Sequence, residues 1–168
     1  QIIENVQDLL ETMQSLVKTH DVLIHSMAVS DYTPIYMTGF EQITASQDLT
    51  EFLNKTNDQG KISSKDEYQV LFLKQTPKII SQVKKWNPNI RLIGFKLLVD
   101  VSKEKLLAVA RASLVKNQAE IIVANDLDHI SNHQHHAYLV KQDSVIEATT
   151  KEEIAQLLLT HIHAKDNL

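Results

Sequence analysis

The chain has 168 residues, a one-domain length, and its 43% hydrophobic content is enough to bury a core. Its formal net charge of −4 excludes a general basic surface for nucleic acid, and no apolar run approaches the roughly 20 residues of a membrane span. With no cysteine and three glycines, it has neither disulfides nor a glycine-rich phosphate loop. We expect a cytoplasmic protein that binds neither nucleic acid nor membranes.

The first predicted elements are a helix and a strand. Asn5 is a suitable N-cap, and apolar residues at spacings of three and four predict a helix over residues 6–19. Residues 22–28 form an apolar run without helical spacing, which predicts a buried strand of a parallel sheet. Ligands of open α/β sheets bind beyond the carboxyl ends of the strands, so Asp31 is a candidate ligand-binding residue. Ordinary turn chemistry explains an aspartate there equally well.

Residues 30–64 are polar and predict a long loop or flap, with one short helix after Asp48. A strand is predicted over residues 68–73, and Thr76 followed by a proline predicts a helix over residues 77–86. The remaining predictions are a strand at 90–99, a helix at 103–116 capped by Ser102, a strand at 119–124, a hairpin of strands 137–140 and 145–148, and a helix at 150–163.

This alternation of strands and helices predicts a single α/β domain over residues 1–168. We expect a mostly parallel, Rossmann-like sheet with helices on both faces and right-handed crossovers, followed by a C-terminal β-hairpin and helix.

Four further residues are candidate site residues. Asn125 and Asp126 follow a predicted buried strand at the ligand-binding edge, where they could equally cap a turn. Lys61 lies in the polar loop, where a lone lysine is usually only solvated. Lys116 ends a predicted helix, and the helix dipole alone explains a cation there.

The segment from His129 to His136 holds four histidines, which could form a zinc site. Against that, there is no cysteine, the segment is polar, and no histidine pair at a spacing of four lies on a strongly helical segment with a following carboxylate. We therefore predict no metal site, and we expect replacement of His133, His135 and His136 by alanine to leave activity intact. A metal-dependent hydrolase stays a minor alternative.

Six short motifs, in this order, resemble the phosphopantothenoylcysteine synthetase family, also called phosphopantothenate cysteine ligases. The resemblance covers almost the whole chain, and the ordered set is specific although each piece alone is weak. The motifs are AVSDYTP (28–34), KIS (61–63), LKQTPKII (73–80), GF (94–95), KN (116–117) and VAND (123–126).

The resemblance implies a ligase of coenzyme A biosynthesis that joins 4'-phosphopantothenate and L-cysteine. In this family CTP, with Mg²⁺, activates the substrate carboxylate as an acyl cytidylate, pyrophosphate leaves, and the cysteine amine displaces CMP. Members are dimers, so the implied partners are these small molecules and a second copy of the chain. Many bacterial members are fused to a flavin-dependent decarboxylase, which this chain does not resemble, so the stand-alone type is implied.

The resemblance also implies roles for individual residues. Lys61 would be the catalytic lysine on a flap that closes over the reacting phosphates, and Lys116 would meet the triphosphate. Phe95 would lie beside the cytosine. The other implied nucleotide-binding residues are His25, Ser26, Met27, Asp31, Pro77, Lys78, Ile79 and Ile80.

The chain departs from the family pattern in three places. Ala112 stands where a lysine is usual, which would weaken triphosphate binding, and Lys78 stands where an acidic residue is usual, which would partly compensate. The glycine-rich segment at the start of the family is also missing. We therefore expect a fragment of a longer synthetase that is inactive by itself. The alternative is a non-catalytic nucleotide-binding or regulatory α/β domain, which would not need Lys61.

Overall fold

A computed structural model describes residues 2–57, 65–131 and 134–166. The chain divides into two compact units, the first formed by residues 1–28 and 79–168 and the second by residues 29–78. The single domain and the fragment inferred from the sequence stay predictions.

The elements follow one another along the chain with strands and helices interspersed. They are α1 (Val6–Leu16), β1 (Val22–His25), β2 (Tyr32–Gly39), α2 (Phe40–Ala45), β3 (Gln69–Gln75), α3 (Ile80–Trp86), β4 (Arg91–Leu98), α4 (Lys103–Asn117), β5 (Ile121–Asp126), β6 (Ala137–Val140), β7 (Val145–Ala148) and α5 (Lys151–Asp166), with short 3-10 helices at Leu49–Asn54 and Leu127–His129.

The first unit contains a five-stranded sheet in the order β1-β4-β5-β6-β7. Strands β1, β4 and β5 are parallel, and the C-terminal pair β6 and β7 is antiparallel. Helices lie on both faces, and α5 closes the chain after the strand pair. The predicted fold class, an α/β sheet with a C-terminal hairpin and helix, is confirmed, and the hairpin strands have the predicted bounds.

Side chains alternate between the two faces of this sheet, as strand geometry requires. Leu92 and Ile122 pack with Val83 of α3 and Leu106 of α4. On the opposite face, neighbouring strand residues pack with Ile154 and the rest of α5. Each face therefore has its own buried core, and both faces of β5 are buried throughout.

Two helices begin at the residues that the sequence indicates. The Asn5 side chain accepts a hydrogen bond from the backbone N–H of Asp8 at 2.9 Å, and the Ser102 hydroxyl accepts one from Lys105 at 3.3 Å. Both residues are N-caps, as predicted. Among the described helices, none is long and apolar enough to cross a bilayer.

The second unit corrects the prediction of a long loop over residues 30–64. Its described part contains β2, α2 and a 3-10 helix, and the predicted strand at 68–73 is β3, which pairs antiparallel with β2 outside the main sheet. The rings of Tyr36, Phe52 and Phe72 stack with centroids 5.5 to 6.3 Å apart. This local aromatic core stabilises the antiparallel pair of β2 and β3, whose register shifts between Pro34 and Tyr36.

The predicted start of the third helix is also wrong. The helix begins at Ile80 rather than at residue 77, and its cap residue makes no side-chain hydrogen bond. Thr76 instead donates its backbone N–H to the Asp31 carbonyl at 2.9 Å and its hydroxyl to the Ser30 carbonyl at 2.5 Å. These bonds extend the pairing of β2 and β3 at the end of the two-stranded sheet, so Thr76 is not an N-cap.

Candidate functional site

The parallel strands of the first unit end at one edge of the sheet. His25, the last residue of β1, is paired with Gly94, whereas β4 and β5 continue until Leu98 is paired with Asp126. Two neighbouring strands thus extend beyond β1, and the chain leaves β1 three residues before it passes into the second unit. This step in the sheet edge is a typical position for a ligand.

Three of the predicted nucleotide-binding residues lie at the end of β1. The strand stops at His25, so Ser26 and Met27 lie beyond it, and Met27 is 52% exposed. His25 is half-buried, and burial lowers the pKa of its imidazole. The lowered pKa favours the neutral ring, which can donate one hydrogen bond and accept another.

Gly94 lets α3 approach β4 closely. A Cβ atom at this position would lie 2.9 Å from the Cδ1 atoms of both Ile80 and Ile122. Ile79 is buried, and Ile80 packs against the core beside Gly94. The next strand residue, Phe95, is partly buried and packs against the opposite core.

The start of α3 also contacts the end of α4. The Ser81 hydroxyl lies 3.0 Å from the Oδ1 atom of Asn117 and donates to it. The Asn117 amide nitrogen donates to the Ser113 carbonyl at 2.9 Å and lies 3.1 Å from the Ser113 hydroxyl. Asn117 is buried, whereas its neighbour Lys116 is exposed. This network joins the first turn of α3 to the helix end that carries the predicted phosphate-binding lysine.

Asp126 is buried, and its carboxylate binds backbone N–H groups. Its carboxylate accepts hydrogen bonds from the N–H groups of Val101 at 2.8 Å and of Asp100 and Asp128 at 3.1 Å. These bonds, the one from Val101 above all, hold the pKa of Asp126 below its usual range. They also stabilise Asp100, which has a left-handed φ of 49°. The capping role weighed for Asp126 is therefore present in the fold.

Asn125 has a different partner. It is 4% exposed, and its amide nitrogen lies 2.7 Å from the Nε2 atom of His135. Burial, followed by the charge of Lys151, lowers the pKa of His135. No sequence pattern indicates this pair, because only the antiparallel return of the chain after β5 brings the two residues together.

In the second unit, the Lys78 ammonium forms an ion pair with the Asp31 carboxylate. Both side chains are more than half exposed, and Pro77 beside them is exposed as well. The structure thus joins two of the predicted nucleotide-binding residues directly. Lys61 lies outside the described residues.

The histidine segment is split between different partners. His136 lies 2.5 Å from a carboxylate oxygen of Glu147, while His135 pairs with Asn125. Within residues 2–57, 65–131 and 134–166, no group of three histidine, aspartate or glutamate side chains could hold a metal ion. His133 lies outside the described residues.

The fold and its edge residues define an α/β protein with polar groups collected at the carboxyl ends of parallel strands. A family model described as the DNA/pantothenate metabolism flavoprotein C-terminal domain matches residues 41–165. The chain belongs to this family, which confirms the family resemblance found in the sequence motifs.

Three relatives place the chain more closely. The coenzyme A biosynthesis bifunctional protein CoaBC of Thermococcus kodakarensis is 30% identical over 95% of this chain and 36% of its own length, so the chain spans about a third of that relative. A crystal structure of the DNA/pantothenate metabolism flavoprotein from Streptococcus pneumoniae is 61% identical, with a TM-score of 0.92 over 98% of this chain and 72% of that chain. The C-terminal domain of a CoaBC protein, at 23% identity and a TM-score of 0.66 over 98% of this chain and 64% of that one, shares the fold.

Proposed function

We propose that the chain carries out the ligase reaction of coenzyme A biosynthesis in which 4'-phosphopantothenate and L-cysteine are joined with CTP as the activating nucleotide. The observation that carries this proposal is the family match over residues 41–165. The polar residues at the sheet edge support it, because this edge is where α/β folds bind nucleotides.

The proposed reaction has two steps. A carboxylate oxygen of phosphopantothenate attacks the α-phosphorus of CTP, the bond to the β-phosphate oxygen breaks, and pyrophosphate leaves. The cysteine amine then attacks the acyl carbon of the cytidylate, loses a proton, and displaces CMP. Both steps build negative charge on phosphate oxygens, so positioned cations lower their barriers.

The residues take the following proposed roles. Lys61 stabilises the leaving pyrophosphate, and Lys116, held by the Asn117 network, binds the triphosphate. Phe95 lies against the cytosine ring. His25, Ser26, Met27, Ile79 and Ile80 are the proposed nucleotide-binding residues of the first unit, and Asp31, Pro77 and Lys78 are those of the second.

Magnesium enters this proposal with the nucleotide. The Asp126 oxygens already accept three backbone N–H groups, and Asp31 is paired with Lys78. Mg²⁺ often keeps its waters and is bound mainly by substrate phosphates, so a protein cage of carboxylates is not required.

We also propose a homodimer in the cytoplasm. Strand β7 lies at one end of the sheet and pairs only with β6 among the described strands, so its other edge can pair with a second copy. A cysteine-free chain suits a reducing compartment. Light scattering coupled to size exclusion measures the dimer directly.

The decisive experiment is release of CMP from CTP in the full-length protein, measured with phosphopantothenate and cysteine both present. We expect CMP to appear only when both are supplied. CTP should raise the melting temperature more than ATP does, because a ligand that binds only the folded state stabilises it. Binding of CTP without CMP release would instead favour the non-catalytic nucleotide-binding domain.

The flap lysine gives a second test. We expect Lys61→Gln to slow pyrophosphate release by about tenfold or more, the scale of one lost charged contact in the transition state. The melting temperature should stay the same. Lys18→Gln, which removes an exposed lysine of the first unit, is the control and should have no effect. Wild-type rates in Lys61→Gln would remove this residue from the mechanism.

A further inference from the structure

The chain between β5 and β6 returns to the sheet through two adjacent histidines. The ring of His136 pairs with Glu147, while the ring of His135 pairs with Asn125 of β5. The backbone of His135 is fixed as well, since its N–H donates to the Thr149 carbonyl at 2.8 Å and the residue forms a β-bridge with Ile130. The imidazole of His135 is therefore presented to Asn125 by a rigid backbone.

Asn125 lies two strand positions beyond the core residue Val123, in the part of β5 that extends past the end of β1. It is buried, and its amide nitrogen lies 2.7 Å from Nε2 of His135. A primary amide can rotate by half a turn and exchange its donor and acceptor ends. A hydrogen bond from one end to a fixed ring removes this freedom and leaves the other end in one orientation.

The second ring nitrogen of His135, Nδ1, lowers the stability of the fold. Nδ1 of His135 is buried, and it has no hydrogen-bond partner among residues 2–57, 65–131 and 134–166. A buried polar atom without a partner destabilises a fold, and an apolar side chain of similar size would avoid this cost. Packing alone therefore does not explain a histidine at this position.

The ring is also neutral under ordinary conditions. Burial and the nearby charge of Lys151 lower its pKa, so Nε2 keeps the lone pair that accepts the Asn125 amide. With the amide nitrogen bound to the ring, the Asn125 oxygen is the atom left to accept a hydrogen bond from a ligand. An uncharged acceptor suits an amine, because it orients the nitrogen and stabilises the protonated form less than a carboxylate would.

We propose that His135 is a positioning residue that fixes the carboxamide of Asn125 so that its oxygen binds the amino group of L-cysteine. This inference rests on the proposed ligase function and deepens it by naming the substrate group. It replaces the expectation that the histidine segment is dispensable for activity.

The test uses side chains that reproduce one ring nitrogen at a time. The amide of His135→Gln takes the position of Nε2, whereas that of His135→Asn takes the position of Nδ1. In the full-length protein, we expect His135→Gln to keep kcat/KM for cysteine within about threefold of the wild type and His135→Asn to lose about tenfold or more, the factor expected for one lost positioned hydrogen bond. KM for CTP should be the same in both variants.

Two further variants separate positioning from folding. His135→Leu removes the unpartnered nitrogen, so we expect a melting temperature equal to or above that of the wild type together with the same loss of cysteine kcat/KM. Asn125→Ala should lose a similar factor, and the double variant Asn125→Ala with His135→Asn should lose no more, because residues that act as one unit are not additive.

Some results would overturn only the role of His135, and others would overturn the proposed function as well. Equal activity of His135→Asn and His135→Gln, or full activity of a stable His135→Leu, would overturn the inference and leave the ligase function standing. A parallel rise of KM for CTP, or additive losses in the double variant, would show a general structural role and would also overturn it. A wild-type protein that forms no product from CTP, phosphopantothenate and cysteine overturns the proposed function itself, and the inference with it.

Discussion

Ser81 and Asn117 join the first turn of α3 to the last turn of α4 through a hydrogen bond of 3.0 Å. Asn117 is 6% exposed and bonds to Ser113 as well, so this single side chain fixes the helix end that carries Lys116. The residue belongs to the KN motif, but the sequence pattern drew attention only to the lysine.

We expect Asn117→Ala to lower the free energy of unfolding by about 2 kcal/mol, because it breaks bonds to Ser81 and Ser113, which are partly buried and lose their partner. Ser81→Ala removes one bond and should cost about 1 kcal/mol. Urea titration measures both values. Gln14→Ala, at an exposed position of α1, is the control. A cost for Asn117→Ala no larger than that of the control would contradict the structural role.

Lys116→Gln should weaken CTP binding about tenfold, which corresponds to about 1.4 kcal/mol and is a modest value for one charge-assisted contact. The melting temperature without nucleotide should not change, because the side chain is exposed. Lys105→Gln removes an exposed lysine from the first turn of the same helix and provides the control. Isothermal titration calorimetry gives both affinities, and equal values for the two variants would rule out this contact.

Arg91→Met should lower the free energy of unfolding by about 2 kcal/mol. This is less than the usual cost of breaking a fully buried ion pair, because both side chains are partly exposed. Arg91 lies 3.3 Å from the Glu120 carboxylate and donates to the Ile162 carbonyl at 3.0 Å, near the end of α5. His161 bonds to Glu120 at 3.0 Å. Adding Glu120→Gln to Arg91→Met should recover part of the loss, since it neutralises the carboxylate that has lost its contact with Arg91. Hydrogen exchange in α5 reports the same change locally, and unchanged protection there would refute the link.

The stability of the protein should fall as the pH drops below about 6.5. Burial lowers the pKa of both His25 and His135, so between each lowered value and about 6.5 the unfolded chain binds protons that the folded chain does not. Carboxyl groups titrate at lower pH and do not contribute in this window. The double variant His25→Leu with His135→Leu should flatten the slope between about pH 5 and 6.5. Identical slopes in urea titrations of the two proteins would disprove this assignment.

Local signals in the sequence predicted the main sheet and its helices well. Asn5 and Ser102 are caps because their side chains bond to backbone groups three residues away, which a sequence window contains. Strand β2 was missed because Pro34 and polar neighbours mask its alternation, and its stability comes from ring contacts with Phe52 and Phe72. Such contacts depend on tertiary packing that local propensity does not record.

The candidate site was predictable where a motif marks a strand end or a helix end. Asp126 and Lys116 were singled out in this way; Asp126 binds backbone N–H groups, and the role of Lys116 stays a prediction. The partner of Asn125 was not predictable, because His135 lies ten residues further on and no periodic pattern links the two. Predicting a contact between residues that are distant in sequence requires the strand order, which only the folded chain provides.

The hydrogen bond from the Thr76 N–H to the Asp31 carbonyl places the entry and exit of the second unit next to each other. A segment with adjacent ends has the geometry of a domain insertion, because its removal leaves a gap that a short turn can close. Evolution could therefore insert, delete or replace the segment of residues 29–78 as one unit without changing the register of the parallel sheet. Protein engineers could use the same junction to graft a different module onto this sheet.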